Sequence, residues 1–163
     1  MNRLAPVLLA LLLPFAAAAE LPIARSEFRD QHGNVDSLAR YAGAPVVAVV
    51  VGVRRLALIE QWERDLAARV PGIRFLNVAD LPRDAPVDLE RTAATLRKRV
   101  PAGVNVLLDP GGAWATAFQL DTAAPNLLVF TGDGRLAARF RGRWNAALAS
   151  DVAAAVRAAG GTP

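Results

Sequence analysis

Apolar runs and amphipathic stretches alternate along most of the chain. Residues 46–51 read V-V-A-V-V-V, a continuous β-branched run typical of a central strand covered on both faces. From about Leu56 to Val70 the apolar residues recur at three- and four-residue steps, which predicts an amphipathic helix that stops at Pro71-Gly72. Together the two segments predict a β-α unit.

The same two periods repeat towards the C-terminus. Further strands are expected at 73–79, 104–108, 126–131 and 135–141, and further helices at 88–100, 113–118 and 145–159. Asp88 and Asn145 suit the N-cap positions of two of these helices, and the basic residues of 88–100 are expected in solvent. The Gly132-Asp133-Gly134 turn predicts that the last two strands form a hairpin.

A smaller element precedes the central strand. His32-Gly33-Asn34 is a turn signal between two short flanks within 28–38, which predicts a small hairpin, and a helical turn is expected at 37–41. No internal repeat and no linker-like stretch divides the sequence. Residues 20–163 are therefore expected to form a single domain.

The first 19 residues differ from the rest. They combine one cationic residue, Arg3, with an apolar run broken by Pro6 and Pro14 and a series of small residues ending at Ala19. Signal peptides have this composition, whereas a membrane span needs about 20 apolar residues without such breaks. We therefore expect residues 1–19 to be a signal peptide, and the mature chain to be periplasmic without a transmembrane segment.

Composition excludes several chemistries. The 163 residues are 53% hydrophobic and 21% charged, as in an ordinary globular domain, and they include no cysteine. Without cysteine the chain has no thiol nucleophile, no disulfide and no thiolate ligand for a metal or an iron-sulfur cluster. The net charge of +4 is modest and widely spread, so nucleic acid is not expected as a partner.

The element order resembles the thioredoxin fold, and most closely its extracytoplasmic TlpA-like and peroxiredoxin-like (redoxin) branch. The residues that carry the resemblance are Asp109-Pro110-Gly111-Gly112 followed by Ala117-Phe118, and 125–130 (P-N-L-L-V-F) followed by Gly132-Asp133-Gly134-Arg135. The resemblance implies an α/β, thioredoxin-like domain. Its central mixed sheet is flanked by helices, with an N-terminal hairpin and a helix inserted before the third core strand.

The resemblance also implies where the family's chemistry takes place. In such proteins the residue equivalent to Pro125 is a cis-proline, and its loop faces the first turn of the main helix, where a C-x-x-C pair lies. Here that pair falls near Arg55 and Leu58, and neither is cysteine. Thiol-disulfide exchange requires a thiolate, so the fold is kept without the family's reaction. Periplasmic members of the YtfJ type similarly carry other residues at these positions.

Arg54 and Arg55 fall at the expected start of the main helix, where free backbone N–H groups already favour anions. Because cations are mildly unfavourable at that end, one hypothesis is a small site for a carboxylate or a phosphate. The alternative is that both side chains simply extend into water.

Ala124, Pro125 and Asn126 form a second candidate site, opposite Leu58 and the two arginines. A cis-proline loop in this fold can offer main-chain donors and acceptors to an extended peptide. The alternative is that Pro125 only shapes the entry to the strand.

Other polar residues allow weaker hypotheses. If the last strand alternates regularly, one of its sides is basic and suits either attachment to an anionic surface or an edge kept soluble by charge; the residues are Arg135, Arg139 and Arg141. A group of carboxylates in the middle of the chain suits either acid-base work and a divalent cation, or capping and solubility; these are Asp80, Asp84, Asp88 and Glu90. His32 is expected to be a turn residue.

We therefore predict a redox-inactive periplasmic thioredoxin-fold protein that binds an extended peptide or a protein partner. One alternative is an accessory factor of a thiol-redox or antioxidant pathway whose thiols come from a partner. A second alternative is a small-anion binder at the start of the main helix. No catalytic residue, metal or cofactor is assigned, and the sequence does not specify an oligomeric state.

Overall fold

A five-stranded mixed sheet forms the centre of the molecule. The structure, a computed structural model, describes residues 22–84 and 86–160, so the expected signal peptide at 1–19 lies outside the described residues. In the order β5-β4-β3-β6-β7, the sheet contains β3 (Val46–Gly52), β4 (Arg74–Asp80), β5 (Val106–Asp109), β6 (Asn126–Phe130) and β7 (Leu136–Arg141). A separate two-stranded sheet consists of β1 (Phe28–Arg29) and β2 (Val35–Asp36).

The strand β3 is the centre of the sheet, as its composition predicts. All six residues of 46–51 are buried, because helices cover both faces of this strand. It pairs in parallel with β4 and antiparallel with β6, while β4 pairs in parallel with β5 and β6 antiparallel with β7. The predicted C-terminal hairpin is therefore confirmed, with an irregularity in register at Val129/Phe130.

The helices are α1 (Pro22–Arg25), α2 (Ile59–Arg69), α3 (Leu89–Arg99), α4 (Ala113–Phe118) and α5 (Ala146–Ala159). Two of their expected caps are confirmed, since the side chain of Asp88 accepts from the N–H of Arg91 and that of Asn145 from the N–H of Leu148. The short helix α1 was not predicted. Helix α3 lies between β4 and β5 along the chain, which is the predicted insertion before the third core strand.

The two faces of the sheet have separate cores. Helices α2 and α5 cover one face, where Trp62 and Leu66 pack with alternate valines of β3. Helix α4 covers the other face, where Trp114 and Phe118 meet Phe130 at ring-centroid distances of 6.2 and 5.8 Å. This division follows from the period of two along the strands, which sends consecutive side chains to opposite faces.

A third apolar cluster lies under α3 at the β5 end of the sheet. Its buried members are Ala79, Leu81, Ala93, Leu96, Val106 and Leu108. The N-terminal half of β4 has no partner on this side, because β5 pairs only with residues 77–80.

The main helix begins later than its apolar period predicts. Residues Val53–Leu58 form a 3₁₀ helix, and the α-helix α2 starts only at Ile59. No residue of this 3₁₀ helix is buried, and Gly52 before it offers no side chain to cap a regular α-helix start. Arg54 and Arg55 thus lie in the first turn of this 3₁₀ helix, which continues into α2, and not in the first turn of α2 itself.

Candidate binding groove

The loop before β6 lies beside the end of β3. Asn126 pairs with Val50 across the sheet, and the N–H of Gly52 donates to the carbonyl of Thr122 at 2.9 Å. Pro125, directly before Asn126, is therefore next to the segment that leads from β3 into the 3₁₀ helix. This is the juxtaposition that the resemblance implies for the fold.

The predicted cis-proline is wrong. Both residues of the Ala124–Pro125 bond are described, and no peptide bond in the described part of the chain is cis. The trans form is the ordinary preference of an X–Pro bond, and here the loop reaches β6 without departing from it. The peptide-binding hypothesis loses the feature on which its main-chain geometry depended.

The carbonyl groups of this loop are also occupied. The side-chain amide of Asn126, which is 4% exposed, donates to the carbonyls of Asp121 at 2.9 Å and Ala124 at 3.0 Å. The carbonyl of Pro125 accepts from the N–H of Gly142 at 3.0 Å. Pro125 itself is buried. These bonds hold the loop against the rest of the domain and leave its carbonyls less available to an incoming strand.

An open groove of about 770 Å³ lies between the 3₁₀ helix Val53–Leu58 and α3. Residues 81–84 and 86–88 contribute to the walls of the groove, and its apolar lining continues the third core cluster through Leu81, Leu96 and Val106. A half-enclosed volume of this size falls within the range of small-ligand sites, roughly 300–1,000 Å³.

Only one of the six predicted site residues lines the groove. Arg54 does, together with its neighbours Val53, Leu56 and Ala57. Arg55 and Leu58 do not, and neither do Ala124, Pro125 and Asn126. The helix start and the Pro125 loop are neighbours in the structure, but the open volume lies on the other side of the 3₁₀ helix.

The contribution of α3 to the groove was not predicted from the sequence. Arg91, Thr95 and Arg99 are four residues apart, so they share one face of the helix, and all three line the groove. Their spacing was visible in the sequence. This spacing did not indicate a site, because exposed arginines on an amphipathic helix are ordinarily solvated. Only the structure shows that the 3₁₀ helix lies opposite them across the groove.

The groove carries cations that have no partner. Among residues 22–84 and 86–160, the cationic side chains with neither a hydrogen bond nor an ion pair are Arg54, Arg55, Arg91, Lys98, Arg99 and Arg143. Three of these, Arg54, Arg91 and Arg99, line the groove.

Carboxylates are present there too, but most are engaged. Glu60 forms an ion pair with Arg64 at 2.5 Å, and Asp88 caps α3. Asp84 is the remaining carboxylate of the lining. Among the groups that line the groove and have no partner, the three arginines therefore outnumber the single carboxylate of Asp84.

Hydrogen bonds to Asp80, at the end of β4, connect Arg83 in the following loop with Thr122. Asp80 accepts from Arg83 Nη2 at 3.1 Å and from the hydroxyl of Thr122 at 2.6 Å. The guanidinium of Arg83 lies over Gly112, where an added Cβ would overlap it. The carboxylate of Asp80 thus has a structural role, although it neither caps a helix nor is exposed.

The other predicted clusters have structural partners as well. Glu90 pairs with Arg97 at 3.3 Å, and no grouping of histidine and carboxylate side chains in the described ranges suits a metal ion. The regular alternation expected of the last strand is wrong, because the irregularity in register at Val129/Phe130 places Leu136 against the core on the α4 side of the sheet and Ala138 and Phe140 against the core on the other side. The cations here are engaged, since Arg135 pairs with Asp133, Arg141 with Asp121, and Arg139 donates to the carbonyl of Phe118.

Two side chains with shifted pKa values border a second cavity, of about 530 Å³, near the open edge of β4. Burial raises the pKa of Glu63, and a hydrogen bond from Asn77 Nδ2 at 2.7 Å partly opposes that effect. Burial and a hydrogen bond to Asp36 raise the pKa of Tyr41 to about 12. Both shifts keep Glu63 and Tyr41 uncharged over a wider pH range. Neither side chain lines the groove.

None of the helices in the described part of the chain has both the length and the apolarity of a membrane span. No protein-family model and no curated protein matches the sequence.

Solved structures do resemble it. An exposed lipoprotein thioredoxin from Streptococcus pneumoniae is 16% identical with a TM-score of 0.64, over 79% of this chain and 97% of its own. The bacterioferritin comigratory protein of Xanthomonas campestris, studied for alkyl peroxide reduction, is 18% identical with a TM-score of 0.62, over 88% and 97%. A secreted disulfide oxidoreductase of Mycobacterium tuberculosis is 15% identical with a TM-score of 0.54, over 83% and 96%.

At these identities the likeness is one of fold. The sheet order, the helix inserted between β4 and β5, and the C-terminal hairpin covered by α5 agree with it. The chain has the thioredoxin-like α/β fold and contains no cysteine.

Proposed function

We propose that the chain is an exported thioredoxin-fold protein that acts by binding, and that its binding site is the groove between the 3₁₀ helix Val53–Leu58 and α3. The observation that carries the proposal is the groove itself, because it is the large open volume beside the segment where this fold otherwise holds its thiols. The first residues of the chain, with the composition of a signal peptide, support export from the cytoplasm to the periplasm.

The absence of thiols supports a function other than exchange. Arg55 and Leu58 occupy the positions near which the resemblance places the thiol pair, and no other side chain replaces a thiolate in disulfide exchange. We expect the purified protein to reduce insulin disulfides and alkyl peroxides no faster than a sample without protein. Turnover above that control, retained after a second purification, would contradict the proposal.

Binding in the groove is tested with N-phenyl-1-naphthylamine, a neutral apolar probe whose fluorescence rises when it leaves water. Thr95 faces the groove from an exposed position on α3, so Thr95→Trp fills the groove without disturbing the core. We expect this substitution to weaken probe binding by about tenfold, which corresponds to roughly 1.4 kcal/mol of lost apolar contact.

Lys98→Trp is the matched control. Lys98 is also exposed on α3 but does not line the groove, so this variant is expected to bind the probe as the unmodified protein does. Equal weakening in both variants, or no binding to the unmodified protein, would contradict a ligand site in the groove.

A second candidate is the accessory factor of a thiol-redox pathway. It is favoured by the solved structures of similar fold, among which are a thioredoxin and a disulfide oxidoreductase. In that case the groove would receive a part of the thiol-bearing partner. A specific complex with a purified oxidoreductase, lost in Thr95→Trp and kept in Lys98→Trp, would favour this candidate over a small ligand.

A further inference from the structure

This inference rests on the proposed function, because it concerns the same groove. The residues that line the groove indicate the chemical class of its ligand. We propose that the groove binds a single-chain amphiphile with an anionic head group, a carboxylate or a phosphate. The apolar lining would take the hydrocarbon chain, and the unpaired arginines would take the head.

The apolar part of the site is a continuous strip. The side chains at its surface are Leu56, Val87, Val100 and Val104, and the buried side chains Leu81, Leu96 and Val106 pack behind them. Several of these already belong to the third core cluster, so a ligand lying on them extends a packed apolar surface. A hydrocarbon chain gains about 0.8 kcal/mol per buried methylene there, which a small hydrophilic anion does not.

The charged part of the site comes from two elements. Arg54 follows β3, whereas Arg91 and Arg99 lie two turns apart on one face of α3, about 12 Å along the helix axis. None of the three forms an ion pair, although Glu60, Asp84 and Asp88 line the same groove. Free guanidinium groups beside an apolar surface are suited to a carboxylate or phosphate, which they bind with charge-assisted hydrogen bonds.

The chain provides a charge-matched control. Replacing the three groove cations by Arg54→Gln, Arg91→Gln and Arg99→Gln removes three positive charges. The unpaired cations outside the groove allow the same change through Arg55→Gln, Lys98→Gln and Arg143→Gln. The two triple variants have equal net charge, so a difference between them reports position and not the overall field.

The experiment measures displacement of N-phenyl-1-naphthylamine by decanoate, decyl phosphate, decyltrimethylammonium and inorganic phosphate. We expect decanoate or decyl phosphate to displace the probe at least about tenfold more effectively than decyltrimethylammonium, since a hydrogen bond to a charged group contributes about that factor. The groove triple variant should lose this preference and still bind the neutral probe, whereas the control triple variant should keep the preference. Whichever of the two anionic amphiphiles binds more tightly identifies the head group.

Equal displacement by the cationic amphiphile, or an equal loss of preference in both triple variants, would overturn the ligand class. Displacement by inorganic phosphate alone, or by an acidic peptide such as hexaglutamate as effectively as by decanoate, would also overturn it. In each of these cases the neutral probe still binds, so the proposed function stands. Failure of the neutral probe to bind the unmodified protein would instead overturn the proposed function.

Discussion

Asp109→Ala is expected to lower the free energy of unfolding by about 3 kcal/mol, because two backbone N–H groups lose a charged acceptor. Asp109 is 1% exposed, and its carboxylate oxygens accept from the N–H groups of Ala113 and Trp114, each at 2.9 Å. These bonds fix the start of α4, which brings Trp114 into the core. Chemical denaturation followed by circular dichroism gives the value.

Asp151→Ala is the control for that substitution. Asp151 is exposed on α5, so its loss is expected to change the free energy of unfolding by no more than about 0.5 kcal/mol. If the two variants were equally stable, the two bonds that Asp109 accepts would not fix the start of α4.

Gly112→Ala is expected to destabilise the protein by about 2 kcal/mol, for two separable reasons. Gly112 has φ of +59°, a left-handed conformation that costs an L-residue roughly 1–2 kcal/mol. In addition, the new Cβ would overlap the guanidinium of Arg83 and force it away from Asp80. The free energy of unfolding is again measured by chemical denaturation.

A double-mutant cycle separates the two reasons. In an Arg83→Ala background the overlap is absent, so Gly112→Ala should cost only the backbone term, about 1 kcal/mol. The same cost in both backgrounds would show that the Arg83 side chain moves away from the new Cβ at no cost, and that only the backbone conformation of Gly112 contributes. That result would also show that the Arg83–Asp80 pair contributes little to stability.

Much of the fold could be predicted because its signals are local. The valine run of β3, the caps Asp88 and Asn145, and the turn at 132–134 each specify their own element. The start of the main helix could not be placed, because the apolar period continues through Val53–Leu58 while the backbone there is 3₁₀. The apolar pattern reports which side chains face the core and not which hydrogen-bond pattern the backbone adopts.

The site was only partly predictable, and for a different reason. The resemblance to the thioredoxin fold implied that the helix start and Pro125 are neighbours, which the pairing of Asn126 with Val50 supports. It also implied a cis-proline loop open to a peptide, whereas the bond is trans and the side chain of Asn126 donates to two of the loop carbonyls. The groove depends on how far α3 stands from the 3₁₀ helix, a tertiary distance that no spacing in the sequence encodes.

The most direct measurement is a ¹H–¹⁵N correlation spectrum of the protein titrated with N-phenyl-1-naphthylamine. Binding in the groove predicts that the backbone amide signals of residues 53–57 and 91–100 shift with the probe, and that those of residues 121–126 stay in place. Shifts centred on 121–126, with 91–100 unmoved, would place recognition at the Pro125 loop and contradict the groove as the binding site.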